Sequence, residues 1–405
     1  MDTTILPQAN ARFGRVHRGV NTFDISNEVA IVGIGQSRFS ARGGGSAESL
    51  ILEAIRNALA DAGLSGADVD GIVTEADLMP QLFGAHDVAR ALGIHGDVFS
   101  AHSGIVGAGI VLAPRLAGLA LKAGLATTVV SYFGCDWGSN RQAYGWHAKM
   151  PLKASLEMPY GFFGQPVYFA QLAQRYMHEY GANPEHFGSV AVSSRVWAQL
   201  NPDAQERTPL SLDGYFKSPL IADPLRRADC CLLTDGAAAF VMTTPERARD
   251  LANPVVKVAA CETSYPANTV HSFLTQQKDL LRTEARVTAP IAMSNAGITT
   301  DDVDFVNLYD CFSVSVLMQL EDLGFCEHGG AGEFFLQGHT QPGGKLPVNP
   351  HGGMMSEAYL MGINNINEAV RQIRGTAGER QIPGASVGVI SGYSGQQSTL
   401  ILTSA

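Results

Sequence analysis

One short phrase occurs twice, and it constrains the fold more than any other feature of the chain. Asp61-Ala-Gly-Leu-Ser-Gly-Ala-Asp-Val-Asp-Gly-Ile-Val73 returns as Asn295-Ala-Gly-Ile-Thr-Thr-Asp-Asp-Val-Asp-Phe-Val-Asn307, shifted by 234 positions. Each copy follows an apolar helical pattern and leads into an apolar run. The chain therefore predicts two similar halves in which helix, glycine stop, turn and strand recur. Its 405 residues are long enough to bury a sizeable core in two parts.

The first half opens with a strand at Val29-Ala-Ile-Val-Gly-Ile-Gly35, then Ser46 caps a helix from Ala47 to Ala62. Gly71-Ile-Val-Thr74 is the next strand. A glycine-rich turn at Ser103-Gly104 precedes a long apolar helix to about Gly124 and a strand over Ala126–Tyr132. Thr234–Met242 closes this half, and Val255–Ala260, Ser386–Ile390 and Thr399–Leu402 read as strands of the second. The predicted organisation is an arm over 1–26, one half over 27–250 with an insertion over about 134–219, and a second half over 251–405. Two βαβ-containing halves with helices packed between sheets make an α/β fold.

Composition agrees with heavy burial. Asp, Glu, Lys and Arg make up 16% of the chain, against about 25% in an ordinary globular protein. Such a charge-poor chain with 44 glycines must hide much surface and turn tightly. A large buried sheet, an oligomer, or both are expected. The net charge of -10 excludes a duplex-binding protein, which would carry a basic stripe. The most apolar stretch, Gly104–Tyr132, is broken by Pro114, Arg115 and Lys122 and falls short of a membrane span. The first 25 residues show no apolar block before a cleavage site, so a cytoplasmic protein is expected. The six cysteines lack zinc spacing and are expected to be free and mostly buried. No metal site is suggested, and Arg42-Gly-Gly-Gly45 reads as a loop rather than a pyrophosphate cradle.

Five segments in order sharpen the fold: Asp235-Gly-Ala-Ala-Ala, Tyr309-Asp-Cys-Phe-Ser313, Glu321-Asp-Leu-Gly-Phe-Cys326, Pro347-Val-Asn-Pro-His-Gly-Gly353 and Ser391-Gly-Tyr-Ser-Gly395. Together they resemble the thiolase superfamily, within it the branch of sterol carrier protein thiolases and thiolase-like lipid-transfer proteins. The resemblance spans about Asn27 to the C-terminus and implies a layered αβαβα core. It also marks four positions where a thiolase keeps its chemistry. The nucleophilic cysteine position, two residues before Ser103-Gly104, holds Ala101. The asparagine or histidine of the second motif is Tyr309, the histidine of the third falls on Tyr359, and the last catalytic cysteine is Ser391. Without a thiol at 101, no acyl-enzyme of the usual kind can form. His102 beside it reads as a wall of the site rather than a substitute.

The two tyrosines resemble the thiolase-like aldol-lyases of bacterial steroid side-chain degradation, which carry tyrosines at these motif positions. That resemblance implies retro-aldol cleavage of a steroid-type β-hydroxyacyl-CoA to a ketosteroid and a short acyl-CoA. The reaction needs a base for the β-hydroxyl proton, an acid for the enolate and donors for its oxygen. Tyr309 is expected to handle the hydroxyl proton and Tyr359 to stabilise or protonate the enolate, with the roles exchangeable. A phenol ionises near pH 10, so such a base needs a lowered pKa or a proton-accepting partner. Asp310 is a candidate for that partner or else a structural hydrogen-bond acceptor, and His351 is a weaker catalytic candidate. Ser391-Gly392-Tyr393-Ser394-Gly395 reads as a turn that either brings amides to the carbonyl or merely joins two strands.

Aromatics at Met158-Pro-Tyr-Gly-Phe-Phe-Gly164 and Val167-Tyr-Phe169 either pack the core or line a wide apolar pocket. No cofactor is expected, because CoA enters as part of the substrate. The resemblance further implies a homodimer and a DUF35-type OB-fold partner in a heterotetramer. Two other functions stay open: a divergent thiolase or acyltransferase, and a non-catalytic acyl-CoA or lipid-binding scaffold.

Overall fold

The computed structural model describes residues 24–75, 83–104, 106–140, 154–155, 157–162, 164–264, 279–394 and 396–405. Most of the N-terminal arm, Phe163 and Gly395 thus lie outside the described residues. The strands are β1 (Ala30–Gln36), β2 (Gly71–Thr74), β3 (Phe99–His102), β4 (Val129–Asp136), β5 (Leu220–Ala222), β6 (Leu225–Arg226), β7 (Asp235–Thr243), β8 (Val256–Ser264), β9 (Phe305–Leu308), β10 (Val387–Tyr393) and β11 (Gln397–Ser404). Helices that shape the site are α1 (Ala47–Ala62), α2 (Val106–Lys122), α3 (Gln165–Tyr180), α4 (Pro184–Gln199), α5 (Ala285–Ala296), α6 (Ser313–Asp322), α7 (Gly353–Ser356) and α8 (Ile363–Arg374).

Nine strands run in the order β3-β2-β4-β7-β1-β8-β11-β10-β9, with β5 and β6 forming a separate hairpin. The middle of that order is its seam, because β1 and β8 pair only at Ala30 with Lys257 and Ile31 with Val256. On one side β2 runs parallel to β4, and on the other β9 runs parallel to β10. Helix α1 covers β1, β7 and β4, while α5 covers β8 and β11. Helices α2 and α8 each touch strands from both sides of the seam. The result is the expected α/β thiolase layering, with two outer helices, two sheet portions and a central pair of helices.

The repeated phrase explains the likeness of the halves atom by atom. Gly63 and Gly297 end α1 and α5 in the left-handed conformation that glycine reaches at least cost. A 3-10 turn follows each, closed by Ser65 onto Asp68 and by Thr299 onto Asp302 through paired backbone and hydroxyl bonds of 2.8–2.9 Å. Those bonds hold both carboxyls below their ordinary pKa. Next, Asp70 accepts the amides of Thr127 and Thr128 where β4 starts, and Asp304 accepts those of Ser386 and Val387 where β10 starts. A single Val-Asp pair in each copy therefore aligns a strand with its parallel neighbour.

Strand β4 differs from its expected range. Asp70 holds Thr127 and Thr128 ahead of the strand, and pairing with β7 carries it on to Asp136. The connection to β7 consequently begins at Trp137, later than Gly134, and carries α3, α4 and the β5–β6 hairpin. The aromatics of this region divide. Tyr168 and Phe169 are buried, with Phe169 stacked on Phe312 at 4.3 Å between ring centroids, whereas Tyr160 is exposed.

A candidate active site at the ends of two sheet portions

Tyr309 is the first residue beyond β9, and its ring lies where the central helices begin. A side chain at Gly107, in the first turn of α2, would be driven into that ring, and Gly362 at the start of α8 flanks it. Backbone hydrogen bonds fix the stem. Gln319 of α6 donates from Nε2 to the Tyr309 carbonyl at 2.8 Å and accepts the Tyr309 amide at 3.3 Å. Ser391 donates its hydroxyl to the same Gln319 at 2.8 Å and accepts from Gln397 at 2.7 Å. The position matching the last thiolase cysteine therefore anchors the stem of Tyr309.

Tyr359 arrives from the connection between α7 and α8. Its amide donates to Thr234 Oγ1 at 2.9 Å, and its ring lies 5.6 Å from that of Trp137. The two phenol oxygens stand 3.0 Å apart, both tyrosines being buried. Met361 closes the cluster with its sulfur 3.6 Å from the Tyr309 oxygen and 3.4 Å from the Tyr359 oxygen. To do so it adopts a left-handed backbone at φ 54°, which costs a side-chain-bearing residue about 1–2 kcal/mol. Sulfur accepts weakly, so the phenol–phenol hydrogen bond is the stronger of these two contacts for each ring.

Burial pushes the Tyr309 phenol well above its ordinary pKa, and nearby Cys311 adds to the shift while the Tyr359 hydrogen bond opposes it. A phenolate at 309 is therefore disfavoured. Of the two conditions for a tyrosine base, the geometry supplies a proton-accepting partner, the second phenol, in place of a lowered pKa. A neutral pair in contact can pass a proton through while both phenols begin and end uncharged.

The other candidates take different places. Asp310 is buried and accepts the amides of Met354 at 2.9 Å and Met355 at 3.2 Å, so it fastens the first turn of α7. Burial pushes its pKa up to about 6. His351 is wholly buried, with Nε2 3.0 Å from Asn365 Oδ1, in a network that also holds Glu357 and Asn201. Ala101 and His102 end the edge strand β3, where Ala101 is partly covered and His102 exposed. Ser391, Gly392 and Tyr393 were expected in a turn but form the paired end of β10, facing Thr399, Ser398 and Gln397. The strand continues because Gly392 has no side chain to strike the backbone of Gly107, which lets β10 and α2 pass closely. The turn itself begins at Ser394, whose amide bonds to the Gln396 carbonyl at 2.9 Å.

Gly107, Gln319, Thr234, Trp137 and Met361 were not singled out in the sequence. Gly107 left a signal, since Val106-Gly-Ala-Gly109 is unusually slender for a buried helix start. Replacing Gly107 with alanine is expected to displace the Tyr309 ring and reduce turnover about 100-fold while the protein stays folded. Steady-state rates beside a thermal unfolding curve check this.

Comparison with known proteins agrees with this layout. Residues 267–404 match a family model described as thiolase C-terminal domain-like. The chain is 38% identical over 364 residues, 87% of its length, to the 17-hydroxy-3-oxo-4-pregnene-20-carboxyl-CoA lyase of Mycobacterium tuberculosis, 93% of which is covered. It is 36% identical to the steroid side-chain-cleaving aldolase of Thermomonospora curvata, over 92% of this chain and 97% of that one. A solved structure named Ltp2-ChsH2(DUF35) aldolase superposes with a TM-score of 0.86 at 34% identity, over 94% of this chain and 98% of that one.

Proposed function

Because the chain belongs to the thiolase-like family of the steroid side-chain-cleaving aldolases, we propose that it is an aldol-lyase acting on a steroid-type β-hydroxyacyl-CoA. The products are a ketosteroid and acetyl- or propionyl-CoA. The observation that carries this reading is the buried contact of 3.0 Å between Tyr309 and Tyr359. Tyr309 takes the β-hydroxyl proton as the Cα–Cβ bond breaks and passes its own proton to Tyr359. The Tyr359 proton moves to the thioester oxygen, where the electron pair of the broken bond has created enolate charge. A ketone and a neutral enol result, and both phenols are restored. CoA arrives with the substrate, and no further cofactor is required.

A homodimer joined to a DUF35-type OB-fold protein as a heterotetramer, working in the cytoplasm, completes the proposal. The structure at 34% identity, whose name couples two proteins, supports such a partner. Among the described residues no helix is long and apolar enough to cross a membrane.

The decisive assay supplies a steroid β-hydroxyacyl-CoA to the chain with its partner and follows ketone and acyl-CoA release. Release is expected without free CoA and unaffected by iodoacetamide. All six cysteines are free, and burial pushes Cys311 well above the ordinary thiol pKa and Cys261 up to about 12. Cleavage that requires free CoA and disappears on alkylation would instead identify a thiolase.

A further inference from the structure

The 234-position shift that relates the halves carries Tyr309 onto Glu75. The correspondence is structural as well as numerical. Gly71 to Thr74 of β2 pair with Val129 to Tyr132 of β4, just as Phe305 to Leu308 of β9 pair with Gly388 to Ser391 of β10. Glu75 is thus the first residue past β2, as Tyr309 is the first past β9. The central helices α2 and α8, which touch both sheet portions, are related in the same way, for each precedes the strand that its half pairs in parallel. The residue past β2 and the residue past β9 are therefore brought toward the same pair of helix starts.

Glu75 is wholly buried, and among the described residues neither carboxyl oxygen has a hydrogen-bond partner. The Ser103 amide bonds to the Thr74 carbonyl at 3.2 Å, and among the described residues the buried Ser103 hydroxyl also has no hydrogen-bond partner. A buried polar group left bare gives up its hydration with no hydrogen bond in return, a cost that packing alone does not repay. Burial raises the Glu75 pKa well above its ordinary value, in the direction of the neutral carboxylic acid. The Glu75 carboxyl is also among the groups that raise the Tyr309 phenol, after burial and Cys311.

We propose that Glu75 is the catalytic acid that protonates the acyl-CoA carbon after the phenols have broken the carbon–carbon bond. The role rests on the retro-aldol reading, which leaves a neutral enol to be converted to its thioester. The Glu75 O–H bond breaks as a C–H bond forms at Cα, and the other carboxyl oxygen takes the enol proton. The carboxyl is regenerated in the same step, with no co-reactant. Among the described residues neither oxygen is engaged by the protein, which leaves both available for the exchange.

By microscopic reversibility the same carboxyl removes an α-hydrogen from the short acyl-CoA. Glu75→Gln is expected to lower steady-state cleavage by about 10²–10⁴-fold. It should equally slow exchange of acyl-CoA α-hydrogens with D2O, followed by NMR. Rapid-quench sampling should still find one ketone released per site, because bond cleavage precedes the step that is lost. Glu75→Ala should regain part of the exchange on addition of acetate, a response no purely structural role would give. Glu75→Gln should keep the wild-type unfolding midpoint or exceed it, since no hydrogen bond to a described residue is removed. Exchange and cleavage within twofold of wild type in Glu75→Gln would overturn the assignment. Failure of the unaltered chain to cleave any β-hydroxyacyl-CoA would defeat the aldolase reading instead.

Discussion

Tyr309→Phe is expected to lower kcat/KM for retro-aldol cleavage by about 10²–10⁴-fold, the span of a lost proton-transfer group. Tyr359→Phe should do the same. The two phenols share one hydrogen bond, so the double variant should be little worse than either single one, as for groups acting as a unit. Stability should fall by only about 1 kcal/mol in each single variant, because the hydroxyl left behind keeps the Met361 sulfur as a weak acceptor. Kinetics with a steroid β-hydroxyacyl-CoA, beside urea unfolding, test both halves of the expectation. Full activity in both variants would remove the two-phenol mechanism.

The second large effect concerns stability. Glu368 on α8 is wholly buried, and Arg380 grips it with two bonds of 2.9 Å. Burial works against the charge on each partner, yet the pairing outweighs it, holding Glu368 below and Arg380 above their ordinary pKa values. Arg380→Met leaves the buried Glu368 carboxylate with only the Gln372 hydrogen bond at 2.9 Å and the longer Arg371 contact at 3.7 Å among the described residues, and is expected to cost about 3–5 kcal/mol in urea unfolding. Arg380→Met with Glu368→Gln should recover most of that loss, since both charges then leave together. Because α8 begins at Gly362, against the Tyr309 ring, the single variant should lose activity as it loses stability. A single variant as stable as wild type would show that Arg380 is not needed to hold the Glu368 charge.

The locally encoded elements were the legible ones. Ser46 caps α1 as expected, with its hydroxyl oxygen accepting the Ser49 amide, and the glycine stop, turn and strand recur at both copies of the repeat. Such devices bond residues only a few positions apart, so the sequence displays both partners together. Ser391 to Tyr393 were misread because glycine in Ser-Gly-Tyr-Ser-Gly signals a turn, whereas Gly392 serves close contact with a helix nearly three hundred residues away. Asp310 left two readings open, and its acceptance of the Met354 and Met355 amides depends on how α7 docks beside β9.

By itself the sequence determined that the chain builds two like halves, each threading a capped helix through a turn into a parallel strand. It also determined which two tyrosines stand at the motif positions of a thiolase-like site. Only the tertiary structure decided that those phenols touch, that Gly107 makes room for one of them, and that Glu75, the counterpart of Tyr309, has no hydrogen-bond partner among the described residues. The physical reason is range. Backbone preference and hydrogen-bond capping act over a few residues, while contacts between residues 50 or 202 positions apart arise only when layers of helix and sheet close-pack around them.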